Sequence, residues 1–217
     1  MFGIGTCMLC GGNGSDLCAP CRRELPWIDI GCEQCGVPLP HAGLCGQCAR
    51  HAPGFVRCIS PLRYAAPISH LIGALKYRHD FNSGRVLSAL LTERLRREDI
   101  LGADCLVPVP LHWRRRWSRG FNQAELIADE LGRALRLPLE TRALRRTRAA
   151  LPQQQLDAEA RRNNLRAAFS CDNRLRGRHV ALIDDVVTTT ATAAEIARVL
   201  LRAGAASVQV WCLARTP

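Results

Sequence analysis

The most constraining feature of this sequence is a set of four Cys-x-x-Cys pairs within its first fifty residues. Glycines, prolines and short polar links separate the pairs, and almost no apolar residues are present to form a core. So short a segment needs an inorganic cross-link to fold. One such pair supplies two thiolates to a metal ion, and two pairs complete the tetrahedral shell of Zn²⁺. The sequence therefore predicts two structural zinc sites, with the ligands Cys7, Cys10, Cys18, Cys21, Cys32, Cys35, Cys45 and Cys48.

The sequence leaves open how these cysteines are shared between the two sites. The simplest assignment joins neighbouring pairs, and an interleaved assignment is the alternative. A redox-active dithiol is disfavoured, because no βαβ pattern surrounds any pair. His41 and His51 lie next to the cysteines and are expected to be solvated loop residues. The other four cysteines are expected to be small buried hydrophobes; they are Cys58, Cys105, Cys171 and Cys212.

A boundary is predicted at Pro53–Gly54, which divides the chain into a zinc module over residues 1–53 and a larger domain over residues 54–217. A hydrophobic content of 47% supports a real core in the larger part. No apolar run approaches the ~20 residues that a membrane span requires. No secretory leader is recognisable at the N-terminus, so a reducing cytoplasm is expected, where 12 cysteines favour metal over disulfides.

The stretch Val180–Gly204 begins with an apolar run, Val180–Ile183, of the kind found in a fully buried parallel strand. Two neighbouring carboxylates, Asp184 and Asp185, follow where this strand is expected to end. They suit sugar hydroxyls or a hydrated Mg²⁺ ion. A plain strand that runs into a helix is the alternative, but it leaves an acidic pair at a strand end without a role.

A threonine-rich segment, residues 188–192, comes next and is called the phosphate loop below. A helix is expected to follow, begun by a capping box of Thr192 and Glu195 and ended by Gly204. Backbone N–H groups, threonine hydroxyls and the helix dipole can converge there on one phosphate group. The stretch therefore predicts an anion site beside two carboxylates.

Beyond residue 54, helical and apolar segments alternate, which predicts an α/β fold with a mostly parallel sheet flanked by helices. In such sheets ligands bind beyond the carboxyl ends of the strands, so the acidic pair is expected beside a cationic loop at residues 112–120. The predicted strands are 55–64, 104–111, 139–144, 167–171, 180–183 and 207–213, and the predicted helices are 68–76, 83–97, 121–137, 157–164 and the one before Gly204. Residues 145–156 are expected to form a long flexible loop.

The net charge is +11, and Lys76 is the one lysine among 30 basic residues. Guanidinium groups match phosphate oxygens, so a phosphate-bearing small ligand or a nucleic acid is the favoured partner; genome composition is the alternative source of so many arginines. The loop at residues 112–120 interleaves arginines with Trp113 and Trp117, as a stacking platform for single strands also would. The segment Lys76–Arg78 either meets a ligand phosphate or, as we favour, caps the preceding helix.

The stretch Val180–Gly204 resembles the phosphoribosyl pyrophosphate (PRPP) motif of type I phosphoribosyltransferases. That family usually has glycine where this chain has Thr190, and a positive φ there would strain a threonine. The cysteine pairs, the run VPVPLHWRRRWSRGFNQAELIA and the phrase from Arg145 to Phe169 make nearly the whole chain similar to the ComF family. That family couples a double zinc ribbon to a type I phosphoribosyltransferase-like domain.

The resemblance implies a role for each candidate residue. Asp184 and Asp185 would contact the ribose hydroxyls of PRPP, Mg²⁺ would bridge its pyrophosphate, and the loop at residues 145–156 would close over the ligand. The 5-phosphate would lie on Thr188, Thr189, Thr190, Ala191 and Thr192. The pyrophosphate, or a nucleic acid, would meet His112, Arg114, Arg115, Arg116 and Arg119. The resemblance to the ComF family also implies a part in DNA uptake during natural competence, with single-stranded DNA and competence or recombination proteins as partners.

Two functions are compatible with these residues. In a binding protein the site senses PRPP, whereas in an active transferase the acidic pair also stabilises positive charge at the reacting carbon. No general base is recognisable, so the acceptor stays open. No glutaminase-like domain is recognisable in the sequence, so a complete amidotransferase is not expected. A purely structural zinc adaptor leaves the phosphate motif unexplained.

Overall fold

A computed structural model describes residues 5–97, 102–111, 120–147 and 168–217. Its strands are β1 (Gly5–Thr6), β2 (Asn13–Gly14), β3 (Cys58–Ile59), β4 (Leu62–Arg63), β5 (Cys105–Pro108), β6 (Leu144–Arg146), β7 (Phe169–Cys171), β8 (His179–Val187) and β9 (Ser207–Arg215). Its helices are α1 (Ala19–Arg23), α2 (Gly46–Arg50), α3 (Ile68–Arg78), α4 (Phe81–Arg97), α5 (Gln123–Leu135) and α6 (Ala191–Arg202). None of these described helices is long and apolar enough to cross a membrane.

A parallel sheet of five strands forms the centre of the larger part. Its order is β3, β9, β8 and β5, and β4 continues along β9 beyond β3. Strand β8 pairs with β9 from His179 to Val187 and with β5 from Val180 to Ile183. All of these pairings are parallel, so the carboxyl ends of the strands lie at one edge. The predicted fold class is confirmed.

The central strand is buried on both faces, which explains its unbroken apolar run. Val180 and Leu182 pack on the face covered by α6, against residues such as Ile196 and Leu200. Ala181 and Ile183 point to the opposite face. That face is covered by the apolar sides of α3, α4 and α5. Burying one leucine or isoleucine side chain in these layers stabilises the folded state by roughly 1.5–3 kcal/mol relative to leaving it exposed.

Two predicted strands differ from the observed ones. The strand predicted at residues 139–144 is wrong, because Leu139 forms only an isolated bridge with Leu106 before the chain bends away. Leu144 instead begins β6, which pairs antiparallel with β7 outside the main sheet. The strand predicted at residues 55–64 is divided into β3 and β4, with Pro61 in the interruption, as expected. The predicted loop at residues 145–156 is wrong at its start, because Arg145 and Arg146 belong to β6. The rest of that loop from residue 148, and the helix predicted at 157–164, lie outside the described residues.

The zinc module packs directly on the larger part of the chain. Leu25 belongs to the same buried cluster as the inner faces of α3 and α4. The backbone N–H of Ile28 donates to the carbonyl of Pro61 at 2.9 Å, and that of Arg63 donates to Pro26 at 2.8 Å. These bonds cover the outer edge of the chain at β4, which would otherwise expose unpaired backbone groups. The limits of the two predicted domains stay a prediction.

Candidate functional site

The eight predicted zinc ligands form two groups, and within each group the sulfur atoms lie within 4.8 Å of one another. Neighbouring pairs are joined, as the simplest assignment predicted, and the interleaved assignment is wrong. The first zinc cluster is Cys7, Cys10, Cys18 and Cys21, and the second zinc cluster is Cys32, Cys35, Cys45 and Cys48. His41 and His51 are exposed and belong to neither cluster.

The surroundings of these sulfur atoms fit a zinc ion. The backbone N–H of Cys18 donates to the Sγ of Cys7 at 3.4 Å, and that of Cys45 donates to the Sγ of Cys32 at 3.2 Å. Backbone N–H groups, foremost that of Cys18, lower the pKa of Cys7 to about 6. Burial raises the pKa of Cys32, but backbone N–H groups outweigh it and bring this pKa to about 6. Thiolates are the form that binds Zn²⁺, and four of them complete a structural shell.

The acidic pair lies inside β8 rather than after it, because the strand continues to Val187. The two carboxylates are half-buried at the carboxyl end of the sheet, where Asp184 pairs in register with Cys212. The N–H of Asp185 donates to Oδ1 of Asp184 at 2.9 Å. Burial, reinforced by the neighbouring charge of Asp185, raises the pKa of Asp184 well above its usual value. Asp184 therefore favours its protonated form, which can donate a hydrogen bond as well as accept one.

This raised pKa makes the stability of the protein depend on pH. Folded Asp184 holds its proton to a higher pH than the unfolded chain, so its contribution falls as pH rises from about 4 towards the folded pKa. Asp184→Asn removes this loss, so we expect the stability of the variant relative to the wild type to be greater at pH 8 than at pH 5.5. Urea unfolding of both proteins between pH 5.5 and 8 measures the difference, which should grow with pH. A difference that is constant with pH would contradict the assignment.

Lys76 completes the acidic site, although sequence reasoning favoured it as a helix cap. Its ammonium group forms an ion pair with the carboxylate of Asp185, and the side chains of Lys76 and Asp185 are only 19% and 15% exposed. Lys76 lies in the last turn of α3, far from β8 in sequence. The signal that could have found it is its identity as the one lysine in a chain of arginines. An ammonium group is a compact charge that fits beside two carboxylates.

The phosphate loop joins β8 to α6, and its conformation differs from the prediction in one respect. The capping box is wrong, because α6 begins at Ala191 and Glu195 pairs with Arg198 instead of the helix start. Thr190 is the N-cap residue, with a φ of −73°, so a threonine there is unstrained. The first helical bond runs from the N–H of Ala194 to the carbonyl of Thr190 at 2.7 Å. The preceding N–H groups in this turn have no acceptor within the helix and can face an anion.

The cationic loop starts and returns at this same edge of the sheet. Strand β5 ends beside Ile183, whose carbonyl accepts from the N–H of Val109 at 2.9 Å. Buried Asn122 caps α5 by accepting from the N–H of Ala124 at 3.1 Å, and it donates to the carbonyl of Val109 at 3.1 Å. One side chain thus joins the two ends of the loop. The predicted pyrophosphate or nucleic-acid contacts, His112, Arg114, Arg115, Arg116 and Arg119, lie outside the described residues.

Three aromatic rings gather beside the return of this loop, and sequence reasoning did not single them out. The ring of Phe121 lies 5.3 Å from that of His79 and 5.2 Å from that of Phe81, measured between centroids. Phe81 is 50% exposed, and nearby in sequence Tyr77 is 70% exposed. Their sequence spacing gave no signal, because the rings come from the end of α3, the start of α4 and the approach to α5.

Comparison with known proteins places these observations in a family. Residues 5–49 match a model described as a double zinc ribbon domain. The DNA utilization protein YhgH of Escherichia coli K12 is 43% identical over 205 residues, which cover 92% of this chain and 90% of that protein. Competence protein F of Haemophilus influenzae is 34% identical over 96% of both chains. Competence protein ComFC of Bacillus subtilis is 29% identical over 92% of this chain and 84% of that protein.

Among solved structures, a glutamine PRPP amidotransferase from Bacillus subtilis aligns with a TM-score of 0.43 at 22% identity, covering 61% of this chain and 27% of that chain. A purine phosphoribosyltransferase from Pyrococcus horikoshii aligns with a TM-score of 0.40 at 18% identity, covering 61% of this chain and 75% of that chain. The full-length sequence similarity is the stronger finding. With its double zinc ribbon and its 43% and 34% identical relatives, the chain belongs to the ComF family, together with competence protein F and DNA utilization protein YhgH.

Proposed function

We propose that this protein binds PRPP with Mg²⁺ at the carboxyl end of β8, and that it acts in the cytoplasm in the uptake and processing of incoming single-stranded DNA. One observation carries the ligand assignment: two carboxylates, a half-buried lysine and the start of α6 lie together at one edge of the sheet. Few ligands need all of these groups at once. A sugar phosphate with a metal-bound pyrophosphate does.

The phosphate loop supports the 5-phosphate half of the proposal. The first turn of α6 supplies backbone N–H groups and the positive end of the helix dipole. The hydroxyls of Thr188 and Thr189 are exposed beside this turn and can donate further hydrogen bonds. The negative φ of Thr190 removes the objection that a threonine would distort a loop in which the family usually has glycine.

The acidic pair supports the ribose and metal half. A protonated Asp184 can both donate to and accept from a ribose hydroxyl, whereas Asp185 is the charged member that Lys76 neutralises. Carboxylate oxygens are ligands that Mg²⁺ prefers, and Mg²⁺ would supply charge neutralisation for the pyrophosphate. Lys76 then keeps the acidic pair electrically balanced before ligand and metal arrive, and it is available afterwards to a phosphate oxygen.

The direct test is the binding of PRPP with Mg²⁺ measured by calorimetry. We expect the wild type to bind and the Asp184→Asn/Asp185→Asn variant to lose affinity by at least about tenfold, since two ligand-facing groups are changed. Arg133→Ala, at an exposed ion pair on α5, is the matched control and should bind as the wild type does. A wild type that binds no PRPP would exclude both sensing and transfer.

An active phosphoribosyltransferase on an unidentified acceptor, without a role in DNA handling, is the alternative. It uses the same residues, and the acidic pair would then also stabilise the charge that develops at the anomeric carbon. Release of pyrophosphate in the presence of a panel of bases and amines decides between the two. Binding without release with any acceptor favours the sensor.

The DNA part of the proposal has an observation of its own. The exposed ring of Phe81, with the His79 and Phe121 rings, lies at the return of the cationic loop, and exposed Tyr77 is nearby in sequence. Aromatic faces beside arginines are the combination that proteins use to bind single strands. The printed names of the relatives, which refer to DNA utilization and competence, agree with this partner.

Stacking and charge can be separated experimentally. Phe81→Ala should weaken binding of a single-stranded oligonucleotide by roughly 1–3 kcal/mol without changing the salt dependence of the affinity. Replacing Arg114, Arg115 and Arg116 by alanine should instead reduce the slope of log affinity against log salt by about 2. Val56→Ala, at a 60% exposed residue away from the rings, is the control. An unchanged affinity in the first variant and an unchanged slope in the second would move the DNA contact elsewhere.

A further inference from the structure

Arg215, at the end of β9, is a buried arginine that neither the zinc sites nor the proposed ligand contacts explain. Its side chain is 5% exposed. Nη1 donates to the carbonyls of Val187 at 3.1 Å, Thr188 at 2.7 Å and Thr216 at 2.7 Å. Nε donates to the carbonyl of Cys35 at 3.0 Å. One guanidinium group thus binds both the start of the phosphate loop and a ligand residue of the second zinc cluster.

These bonds form where the second zinc cluster rests on the sheet. The N–H of Cys58, in β3, donates to the carbonyl of Gln34 at 2.7 Å, so two successive carbonyls of the cluster's first Cys-x-x-Cys turn are used by the sheet side. Gly36 follows this turn with a φ of +68°, and a Cβ there would lie 2.8 Å from the carbonyl oxygen of Cys58. The turn therefore fits closely against β3, and a side chain at Gly36 would collide with its backbone.

A cleft also lies between the phosphate loop and the helix that contains Cys48. Helix α2, which begins after Cys45 and contains Cys48, lies across a cleft of about 760 Å³ from Thr189 and Thr190. Gln47 and His51 line the zinc-module side of this cleft. The helix that contains Cys48 thus borders the loop across the cleft, in addition to the connection through Arg215, whereas no residue from Cys7 to Cys21 lines this cleft.

We propose that Arg215 is a positioning residue that couples the second zinc cluster to the phosphate loop. A guanidinium group is always charged, so burying it requires an acceptor for its donors. Its acceptors come from two parts of the chain, and displacement of either part leaves buried polar groups unsatisfied. Zinc bound by the second cluster holds the Cys35 carbonyl in place. Through Arg215 it also holds the carbonyls from which the phosphate loop starts.

The coupling is tested by a double-mutant cycle with a readout that needs no ligand. Cys45→Ser removes the second zinc ion, Arg215→Met removes the guanidinium group, and both changes are then combined. Hydrogen exchange of peptides covering residues 186–193, measured by mass spectrometry, is expected to become about tenfold faster in each single variant. The double variant should exchange no faster than the singles, because the two changes break one connection. Zinc content, by atomic emission, confirms that one ion is lost.

Two controls and one substitute keep the cycle decisive. Cys18→Ser removes the first zinc ion, and Arg63→Met alters the exposed residue that pairs with Arg215 across β4 and β9; both should leave the exchange of these peptides unchanged. If the double variant does not fold, the cycle is repeated with Arg215→Lys in place of Arg215→Met, since a lysine keeps the charge but not the fork of donors. Independent, multiplicative effects, or equal effects of Cys18→Ser and Cys45→Ser, would overturn the proposal.

Ligand affinity distinguishes failure of this coupling from failure of the proposed function. Of the measurements on Arg215, only this one rests on the proposed function. If the wild type binds PRPP with Mg²⁺, Arg215→Met and Cys45→Ser should each weaken that binding about tenfold. If the wild type does not bind PRPP, the proposed function fails, and the exchange cycle still decides the coupling. Unchanged affinity in both variants, with a wild type that binds, would show that the loop is not positioned through Arg215.

Discussion

Replacing Cys32 by serine is expected to lower the zinc content from two ions to one per chain and the Tm by about 10 °C. Cys32 is 3% exposed, and the module around it has few apolar residues with which to replace the metal cross-link. Losing a structural zinc ion should cost at least ~3 kcal/mol here, because metal binding and folding of such a module are one process. For a chain of this size that corresponds to a fall in Tm of about 10 °C.

The effect should extend beyond the module itself. The carbonyls of Gln34 and Cys35, in the turn of the second zinc cluster, accept hydrogen bonds from the N–H of Cys58 and from Arg215. Both donors lose these acceptors when the turn unfolds. Atomic emission measures the zinc content, and calorimetry measures the Tm. Cys171→Ser is the matched control, because Cys171 is a half-buried thiol outside both clusters and should keep two zinc ions. Retention of both ions by Cys32→Ser would contradict the assignment of the second cluster.

The parts of this site that sequence could predict are those whose chemistry is local. Four cysteine pairs at fixed spacing leave few alternatives to zinc, and the apolar run before Asp184 is compatible with little except a buried strand. The predicted capping box places the N-cap of α6 two residues late, at Thr192 instead of Thr190, because Glu195 pairs with Arg198 rather than with the helix N-terminus. Local pattern cannot choose between such partners.

The parts that sequence could not predict depend on contacts between distant segments. The sequence position of Lys76 predicts a cap at the end of α3, but the fold brings that helix end to Asp185. Arg215 is one arginine among many near the end of the chain, and only the docking of the zinc module against β3 and β9 gives it acceptors on both sides. Lys76 neutralises a carboxylate of the site, and Arg215 donates to the carbonyls beside it. Their roles follow from topology, which sets which charges must be buried together.

Replacing Lys76 by methionine is expected to destabilise the protein by roughly 2–3 kcal/mol at pH 7.5. Methionine keeps the length and apolar stem of the side chain but removes the charge that compensates Asp185, which is 15% exposed and adjacent to Asp184. An uncompensated, mostly buried carboxylate is the costly outcome when one partner of an ion pair is removed. Lys76→Arg keeps the charge and should cost less. Urea unfolding measures the free energy of each variant.

A second change separates lost charge from lost packing. Asp185→Asn in the Lys76→Met background removes the stranded charge, so the double variant should recover at least half of the lost stability. Additive losses would instead mean that Lys76 acts through packing alone.

Magnesium binding links the stability of the acidic pair to its proposed function. In Lys76→Met the acidic pair lacks its internal cation, so millimolar Mg²⁺ should restore part of the lost stability, because an ion that binds only the folded state stabilises it by mass action. The same Mg²⁺ should not stabilise the double variant, in which the charged ligand is gone. The wild type should respond less than Lys76→Met, since its lysine already occupies the acidic pair. A response to Mg²⁺ that is equal in all three proteins would place the metal away from Asp185 and would remove the acidic pair from the proposed PRPP site.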